Sequence, residues 1–244
     1  MTLTWEELGW QRLAAGVGRC RLPVWDCTAG LVAGEGAVLV IDAGSSLAEG
    51  ARLRAQAQRL AGHRVTHLAL THPHFDHVFG AAAFAGAEVF GAVGVDAVFT
   101  RVRDREELRA DAVRNGLDEG AAREAVDALV PPRHPVSGEW TLDLGGGRQV
   151  LLANVGPGHT AHDLAVLVPG APEVVFCGDL VEESGDPQAG PDAVPARWPA
   201  ALDRLLALGG EKALYVPGHG AVVDAAFVRA QRDALAARFG VSGD

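Results

Sequence analysis

A cluster of four potential metal ligands, packed into six consecutive residues, constrains this chain more than any other feature. The cluster consists of His72, His74, Asp76 and His77. It directly follows an apolar run, Val65 to Leu70, that predicts a β-strand. Residues two apart on an extended chain project to the same side, so the first two histidines can bind one ion. The aspartate and the last histidine lie where the chain turns toward the next helix. They can bind a second ion beside the first.

The ligand types indicate which metals fit. Imidazole nitrogens and carboxylate oxygens suit zinc, iron or manganese, whereas magnesium and calcium sites are built mostly from oxygens. The alternative is a solvent-exposed loop whose histidines only satisfy nearby backbone groups, and for a single histidine that alternative is the safer interpretation. Four ligand-type residues on this spacing at a strand end favour a transition-metal site.

Three later segments supply further candidate ligands. They are Gly158-His159, Gly178-Asp179 and Gly218-His219. Each lies at or just after the end of a predicted strand, and in each a glycine precedes the ligand. A glycine removes side-chain bulk and permits the tight backbone that brings a loop close to an ion. Together with the first cluster, these segments provide the additional ligands that a metal pair requires.

The remaining pattern predicts an α/β protein. Apolar runs typical of strands are Val38 to Ile41, Val65 to Leu70, Val150 to Val155, Leu164 to Val168, Val174 to Cys177 and Ala213 to Val216. Helical spacing is found in Leu47 to Leu60, Trp198 to Leu208 and Val223 to Phe239. This alternation predicts layered sheets covered by helices on their outer faces, in a single domain spanning 1–244.

Two segments interrupt the alternation. Residues 95–134 are charged and helical in pattern and end at Pro131-Pro132, so we interpret them as a helical insertion. Residues 182–197 are rich in glycine and proline without periodicity, which predicts a loop. Both flank the metal motifs. They either form the lid and rim that select the substrate or only pack on the surface.

Composition limits the partners. The formal net charge of -10 disfavours sequence-independent binding to nucleic acid or to an acidic membrane surface. No run approaches the roughly 20 apolar residues that span a bilayer, and the N-terminal segment lacks the pattern of a signal peptide. Three cysteines without C-x-x-C spacing indicate neither a disulfide framework nor a thiolate zinc site. We therefore expect a soluble cytoplasmic protein with a small-molecule substrate; the oligomeric state is left open.

The order of the motifs resembles a known family. His-x-His-x-Asp-His, then Gly-His-Thr, Gly-Asp and Pro-Gly-His, is similar to the metallo-beta-lactamase superfamily, the group of hydrolases that includes glyoxalase II. Val40-Ile41-Asp42-Ala43-Gly44 resembles that family's opening motif, and the resemblance runs from about Leu31 to His219. It implies a four-layer αββα sandwich with the metals at one edge between two sheets.

The resemblance also implies roles for individual residues. The first ion would be held by His72, His74 and His159, the second by Asp76, His77 and His219, with Asp179 bridging them and Asp42 as a supporting residue. Two zinc ions, with iron or manganese as alternatives, would acidify a shared water. Asp76 would also act as a catalytic residue by orienting the resulting hydroxide. The implied activity is dinuclear hydrolysis of an ester, thioester, lactone or similar small-molecule bond.

Three differences between this sequence and known subgroups of the family each argue against the substrate class of that subgroup. The beta-lactamases of the family lack an aspartate at the position of Asp179. About 25 residues follow His219, too few for the helical substrate domain of glyoxalase II. Lactonases place a tyrosine shortly after the bridging aspartate, where this chain has Leu180-Val181-Glu182.

Other activities in the same family stay open at this point. The main alternative is a mononuclear iron-dependent oxygenase of the persulfide dioxygenase type. A nuclease is disfavoured by the acidic charge, and a non-catalytic metal-binding protein by the full ligand set.

Four residues near the motifs have two interpretations each. His162 and Asp163 either fix a ligand imidazole or form an ordinary turn. Strand alternation would point Cys177 to the same face as Asp179, although a buried structural thiol is the favoured interpretation. Trp198 either lines a pocket or anchors its helix, and packing is favoured.

Overall fold

The structure of the chain, a computed structural model, describes residues 4–241 and contains two β-sheets. The first comprises β1 (Trp10–Ala14), β2 (Val17–Arg21), β3 (Thr28–Ala33), β4 (Val38–Ile41), β5 (His67–Ala69), β6 (Glu88–Ala92) and β7 (His134–Val136), paired in that order. Strands β1 to β4 are antiparallel, and β4 to β7 are parallel. The second comprises β8 (Glu139–Asp143), β9 (Gln149–Asn154), β10 (Leu164–Val168), β11 (Val174–Glu182) and β12 (Leu214–His219). Its order is β12-β11-β10-β9-β8, and only β11 and β12 are parallel.

Seven α-helices lie within residues 4–241. They are α1 (Leu47–Ala61), α2 (Phe75–Val78), α3 (Asp96–Thr100), α4 (Val102–Arg114), α5 (Glu119–Asp127), α6 (Trp198–Gly209) and α7 (Ala225–Phe239). Short 3-10 helices cover Glu6–Leu8, Ala81–Phe84 and Pro195–Arg197. None of the helices in the part of the chain that the structure covers has both the length and the apolar character needed to cross a membrane.

Three hydrophobic cores separate the layers. One lies between the first sheet and α1 to α5, and includes Leu31 and Leu53. The middle core lies between the two sheets and joins side chains such as Ile41 and Phe176. The third packs the second sheet against α6 and α7 around Trp198. The fold is therefore the four-layer αββα sandwich that the sequence resemblance implies.

Local signals explain where the long helices begin and end. The Ser46 side chain accepts a hydrogen bond from the Glu49 backbone at the start of α1, and Gly62 ends that helix in the left-handed region. Asp224 caps α7 through the Phe227 N–H, and the helix ends at Gly240 in the left-handed region. Capping at both ends accounts for the agreement of these helices with the sequence prediction to within two residues.

Several strands lie outside the sequence prediction or have different bounds. Strands β1 to β3 and β6 to β8 were not predicted, because polar, glycine and proline residues interrupt their apolar pattern. In β2, for example, Arg19 is buried and donates hydrogen bonds to the Gln11 side chain and the Gly220 carbonyl. Strand β5 has only three residues, and β11 continues through Asp179 as far as Glu182.

The segment expected to be a helical insertion contains α3, α4 and α5, and it ends in β7. The segment expected to be a loop overlaps the end of β11 at Glu182 and the 3-10 helix Pro195–Arg197. We call residues 183–194, between these elements, the groove loop.

Candidate metal centre

All seven candidate ligands of the sequence analysis meet at one edge between the two sheets. The loop after β5 and helix α2 contribute four of them, the β9–β10 connection contributes His159, β11 contributes Asp179 and β12 ends at His219. A hydrogen bond of 2.8 Å from the Leu164 N–H to the Thr71 carbonyl connects the second sheet to the loop after β5. The edge therefore places residues distant in sequence within contact distance.

The first group of side chains has the spacing expected of ligands around one ion. His72, His74, His159 and Asp179 each offer an atom within 4.8 Å of the others. His74 Nδ1 lies 3.0 Å from His159 Nε2, and Asp179 Oδ2 lies 3.5 Å from His72 Nε2. Two nitrogens that bind the same tetrahedral zinc ion lie about 3.3 Å apart, so these distances fit.

The second group lies on the other side of Asp179. His77 Nε2 is 3.4 Å from His219 Nε2 and 3.1 Å from Asp179 Oδ1. His219 Nε2 is 3.3 Å from Asp76 Oδ2 and 3.3 Å from Asp179 Oδ2. The Asp179 carboxylate thus faces both groups, as a bridging ligand would.

Two buried polar atoms in this cluster support the presence of a cation. His72 Nε2 and Asp179 Oδ1 are buried without a hydrogen-bond partner. A buried polar atom without a partner costs about 1–3 kcal/mol, and more when it is charged. A cation between the two groups would satisfy both atoms, so the residues fit the metal site that the sequence implies.

Three ligand histidines are oriented by core or backbone groups. His77 Nδ1 donates to Asp42 Oδ2 at 2.8 Å, and His72 Nδ1 donates to the Thr71 hydroxyl at 3.0 Å. Thr71 in turn donates to Asp42 through both its N–H and its hydroxyl, each at 2.8 Å. His219 Nδ1 donates to the Trp25 carbonyl at 2.7 Å. These contacts leave Nε2 of each ring free for a metal ion.

The other two ligand histidines are oriented by the groove loop, which the sequence analysis did not connect with the metal site. His74 Nε2 donates to Asp192 Oδ2 at 3.0 Å, and His159 Nδ1 donates to the Gln188 carbonyl at 3.1 Å. A backbone carbonyl leaves no signal in a sequence, and one aspartate in an aperiodic loop offers only a weak one. Neither contact could be identified from the motif pattern.

Burial and neighbouring charges adjust the ionisation of the ligands. Burial lowers the pKa of His72 to about 4, so this ring is neutral near pH 7. Burial alone would raise the pKa of Asp76, but the charges of His77 and His219 lower it to about 2. Burial opposes protonation of His219, yet Asp179 and Asp76 raise its pKa to about 12. The cluster therefore holds its carboxylates ionised.

Cys27, which the sequence analysis gave no role in metal binding, lies beside the second group. Its Sγ is 3.6 Å from Nδ1 and 3.7 Å from Nε2 of His77, and its thiol donates to the Asp76 carbonyl at 3.2 Å. The nearly equal distances put the sulfur beside the imidazole and out of line with the Nε2 lone pair. Burial raises the pKa of this thiol to about 12, so the thiol is neutral when no metal is bound. Cys27, Asp76 and His77 each offer an atom within 4.8 Å of the others, but the offset of the sulfur from the Nε2 lone pair favours packing over coordination.

The structure distinguishes the alternatives for the residues near the motifs. Asp163 accepts hydrogen bonds from the Thr160 N–H and hydroxyl and so fixes the turn that carries His159. His162 Nδ1 donates to the Val93 carbonyl and touches no ligand through a hydrogen bond. Trp198 is fully buried, donates to the Leu180 carbonyl and packs edge-on against His159.

Cys177 does not share a face with Asp179, contrary to the expectation from strand alternation. Its side chain lies in the core covered by α6 and α7, where burial raises the pKa of the thiol. The pairing of β11 with β12 shifts register between Phe176 and Gly178, and Gly178 is left-handed with φ of 53°. This irregularity breaks the alternation and lets Asp179 turn into the metal cluster.

Glycine is required where β11 and β12 approach each other. A Cβ added to Gly218 would lie 1.8 Å from Asp179 Oδ1 and 2.9 Å from the Gly178 carbonyl carbon. Any larger residue would push the carboxylate out of position.

A groove of about 1510 Å³ opens above the metal cluster. Its walls include Trp25, helix α4 and the groove loop, and its floor includes His74, Asp76 and Asp179. The cluster is therefore accessible to a small molecule from one side.

Comparison with known proteins agrees with this architecture. The model of the metallo-beta-lactamase superfamily matches residues 22–219. A hydroxyacylglutathione hydrolase from Cupriavidus metallidurans is 32% identical over 151 residues, which cover 61% of this chain and 48% of that protein. A metallo-beta-lactamase domain-containing protein 1 from Xenopus laevis is 32% identical over 158 residues, covering 64% of this chain and 54% of that protein. The chain thus spans about half the length of each of these relatives.

Solved structures share the fold at low sequence identity. A metallo-beta-lactamase from Pontibacter korlensis superposes with a TM-score of 0.71 at 20% identity, covering 93% of this chain and 97% of that chain. One from Hirschia baltica superposes with a TM-score of 0.67 at 16% identity, covering 93% and 96%. Because the family model covers most of the sequence and the fold and the motif order agree with it, the chain belongs to the metallo-beta-lactamase superfamily.

Proposed function

We propose that the protein is a dinuclear metal-dependent hydrolase, with zinc as the metal, that acts on an ester, thioester, lactone or similar bond of a small molecule. The observation that carries the proposal is the position of Asp179. Its carboxylate lies between two groups of imidazoles. Oδ1 is 3.1 Å from His77 Nε2, and Oδ2 is 3.3 Å from His219 Nε2 of the second group and 3.5 Å from His159 Nε2 of the first. One carboxylate between two nitrogen-rich groups supports a pair of ions.

Two zinc ions, when bound, would lower the pKa of a water and polarise the substrate oxygen. The residues of this chain would position that water. Asp76 is ionised and lies at the floor of the groove, so it can accept a hydrogen bond from the attacking water and orient it. The Asp42–Thr71 hydrogen bonds hold the loop after β5 rigid beneath it. A serine or cysteine nucleophile is not required.

The groove favours uncharged or cationic substrates. Apart from the ligands, its acidic lining residues are Asp104, Glu106, Glu107, Asp111, Glu182 and Asp192. Its arginines, Arg103 and Arg114, are already paired with Glu107 and Asp111 on α4 at 2.9 and 2.8 Å. Glu106 is likewise paired with Arg109, and Asp192 with His74, so the carboxylates of this set without such a partner within residues 4–241 are Asp104 and Glu182. An anionic group away from the scissile bond would be repelled by these two carboxylates. Apolar surface for an acyl or alcohol group is provided by Trp25, Phe75 and Val102.

The similar proteins do not identify a single substrate. The similarity to hydroxyacylglutathione hydrolase covers about half of that protein, so a glutathione thioester is one candidate among several. The similarity to beta-lactamase structures concerns the fold alone, and Asp179 is the reason we do not propose a beta-lactam substrate. The three cysteines are buried free thiols, which supports our expectation of a reducing, cytoplasmic location.

The test combines metal analysis with a substrate panel. The purified protein is expected to contain two zinc ions per chain and to hydrolyse a neutral ester, thioester or lactone faster than a glutathione thioester, a phosphodiester or a beta-lactam. Asp76→Asn and Asp179→Asn should each abolish turnover, while Asp127→Asn, an exposed carboxylate on α5, should leave it unchanged. Circular dichroism of the variants establishes that the fold is intact.

Two results would overturn the proposal. Turnover retained in both site variants would show that the metal cluster does not perform the reaction. A single iron per chain together with oxygen uptake on a persulfide would instead identify the mononuclear oxygenase.

A further inference from the structure

The groove loop contacts both the proposed substrate site and the proposed first metal position. Its residues Gln188 and Asp192 line the groove. The same two residues accept hydrogen bonds from His159 Nδ1 and His74 Nε2, at 3.1 and 3.0 Å. The two contacts involve different loop residues and different histidines, so their roles can be tested separately.

The two metal positions differ in the origin of their supporting contacts. In the second position, His77 is oriented by the buried Asp42 and His219 by the Trp25 carbonyl. In the first position, two of the three histidines depend on the groove loop. Removing a loop contact should therefore affect one position selectively.

We propose that Asp192 is a positioning residue that holds His74 in the tautomer and orientation required by the first metal ion. The inference rests on the proposed metal site. A hydrogen bond from Nε2–H to Asp192 leaves the lone pair on Nδ1, the atom that lies 3.0 Å from His159 Nε2. Without the carboxylate, the ring can rotate or exchange tautomers, and Nδ1 is no longer fixed toward the ion.

The Asp192–His74 pair is partly exposed, so its removal should affect metal binding and not folding. The side chain of Asp192 is 46% exposed and that of His74 is 23% exposed. Partly exposed pairs of this kind contribute little to the free energy of unfolding. The backbone of the loop is held independently, by the hydrogen bond from Val194 N–H to the Gly158 carbonyl and by Arg238 on the Pro187 carbonyl. Replacing Asp192 should therefore leave the fold and the path of the loop intact.

The experiment measures metal binding and not turnover. Metal-free protein is titrated with Co²⁺, and the absorption spectrum and the two dissociation constants are recorded. His159→Ala and His219→Ala assign the spectral changes to the first and the second position. In Asp192→Ala, which removes the acceptor, the dissociation constant of the first position should rise about 10–100-fold, while that of the second position stays unchanged.

Matched variants complete the design. Asp186→Asn, on the same loop and exposed, should bind both ions as the unmodified protein does. Asp192→Glu keeps an acceptor and should recover part of the affinity. Unchanged binding of both ions in Asp192→Ala, or an equal weakening of both, would contradict the positioning role. Failure of the unmodified protein to bind metal at the cluster would overturn the proposed function itself, and the positioning role with it; metal binding without turnover would overturn only the hydrolase proposal.

Discussion

The buried carboxylate of Asp42 lies 2.8 Å from Nδ1 of His77 and holds that ring with Nε2 toward the metal cluster. Asp42 is almost fully buried and has a φ of 59°, in the left-handed region, at the end of β4. A non-glycine residue in that region costs about 1–3 kcal/mol and persists only when its surroundings hold it there. Its side chain accepts two hydrogen bonds from Thr71 and one from His77, and these contacts hold it in that conformation.

Asp42→Asn should weaken the second metal position more than the first, because His77 contacts Asp42 directly whereas His72 contacts it through Thr71. Oδ1 of Asp42 accepts from the Thr71 N–H, and Oδ2 accepts from both the Thr71 hydroxyl and His77. An amide therefore places its NH2 group against at least one of these donors. We expect the dissociation constant of the second ion to rise about 10–100-fold, measured by Co²⁺ titration. Asp127→Asn is the control, because its carboxylate is exposed and lies far from the cluster in sequence. Equal affinities in Asp42→Asn and the unmodified protein would contradict this role.

Gly218→Ala should disturb the bridging carboxylate. The added Cβ would lie 1.8 Å from Asp179 Oδ1, so either the carboxylate or β12 must shift. We expect a loss of about 1–3 kcal/mol in the free energy of unfolding from the overpacking, together with weaker binding of both ions. Urea denaturation and metal analysis measure the two effects.

The matched control for this glycine is Gly185→Ala. A Cβ at Gly185 would meet no atom within 4 Å, and the residue is not in the left-handed region. Gly185→Ala should bind both metal ions and have the same free energy of unfolding as the unmodified protein. If Gly218→Ala behaved in the same way, the close approach of β11 and β12 would not be needed for the site.

The sequence predicts that the candidate ligands converge, but it does not predict which groups orient them. His72, His74, Asp76 and His77 stand on a spacing set by strand and turn geometry, so their convergence could be predicted from one segment. The strands that lacked an apolar run, such as β2 with its buried Arg19, could not be predicted because their burial depends on partners distant in sequence.

The groups that orient the histidines of the site could not be predicted from the sequence either. The carbonyls of Trp25 and Gln188 orient His219 and His159, yet every residue has a carbonyl and none is marked by its side chain. Strand alternation also failed at Cys177, because the left-handed Gly178 lies between it and Asp179. Tertiary contacts decide these features, and a single sequence does not encode them as a local pattern.

Trp198→Phe should lower the free energy of unfolding by about 1–3 kcal/mol. The substitution removes the hydrogen bond from the indole N–H to the Leu180 carbonyl and leaves a gap beside His159. The Leu180 carbonyl keeps a second donor, the Gln231 amide, at 2.7 Å, which limits the loss. Thermal or urea unfolding measures the change. Trp140→Phe, at a side chain that is 41% exposed, should change stability by less than about 0.5 kcal/mol; equal losses in both variants would contradict the buried role of Trp198.

Metal binding should release a proton from His219. Asp179 and Asp76 outweigh burial and raise the pKa of His219 in the metal-free protein to about 12, so the ring is protonated at neutral pH. An ion must displace that proton before it can bind Nε2. Neighbouring charges outweigh burial at His77 as well and raise its pKa well above the usual value, so a second proton can be displaced there. Apparent affinity should therefore increase by at least about tenfold per pH unit between about pH 6 and about pH 9, below the pKa of His219 in the metal-free protein.

Calorimetric titration in two buffers of different ionisation enthalpy counts the released protons directly. Water bound to the ions can also lose a proton, so His219→Gln separates the two sources. This variant should release about one proton fewer than the unmodified protein, because its amide carries no titratable proton to displace. The same proton release in both proteins, or an affinity independent of pH, would show that His219 is neutral before metal binds. In that case the ion would not compete with a proton on His219. The negative charges of Asp76 and Asp179 would then be neutralised by another group in the cluster.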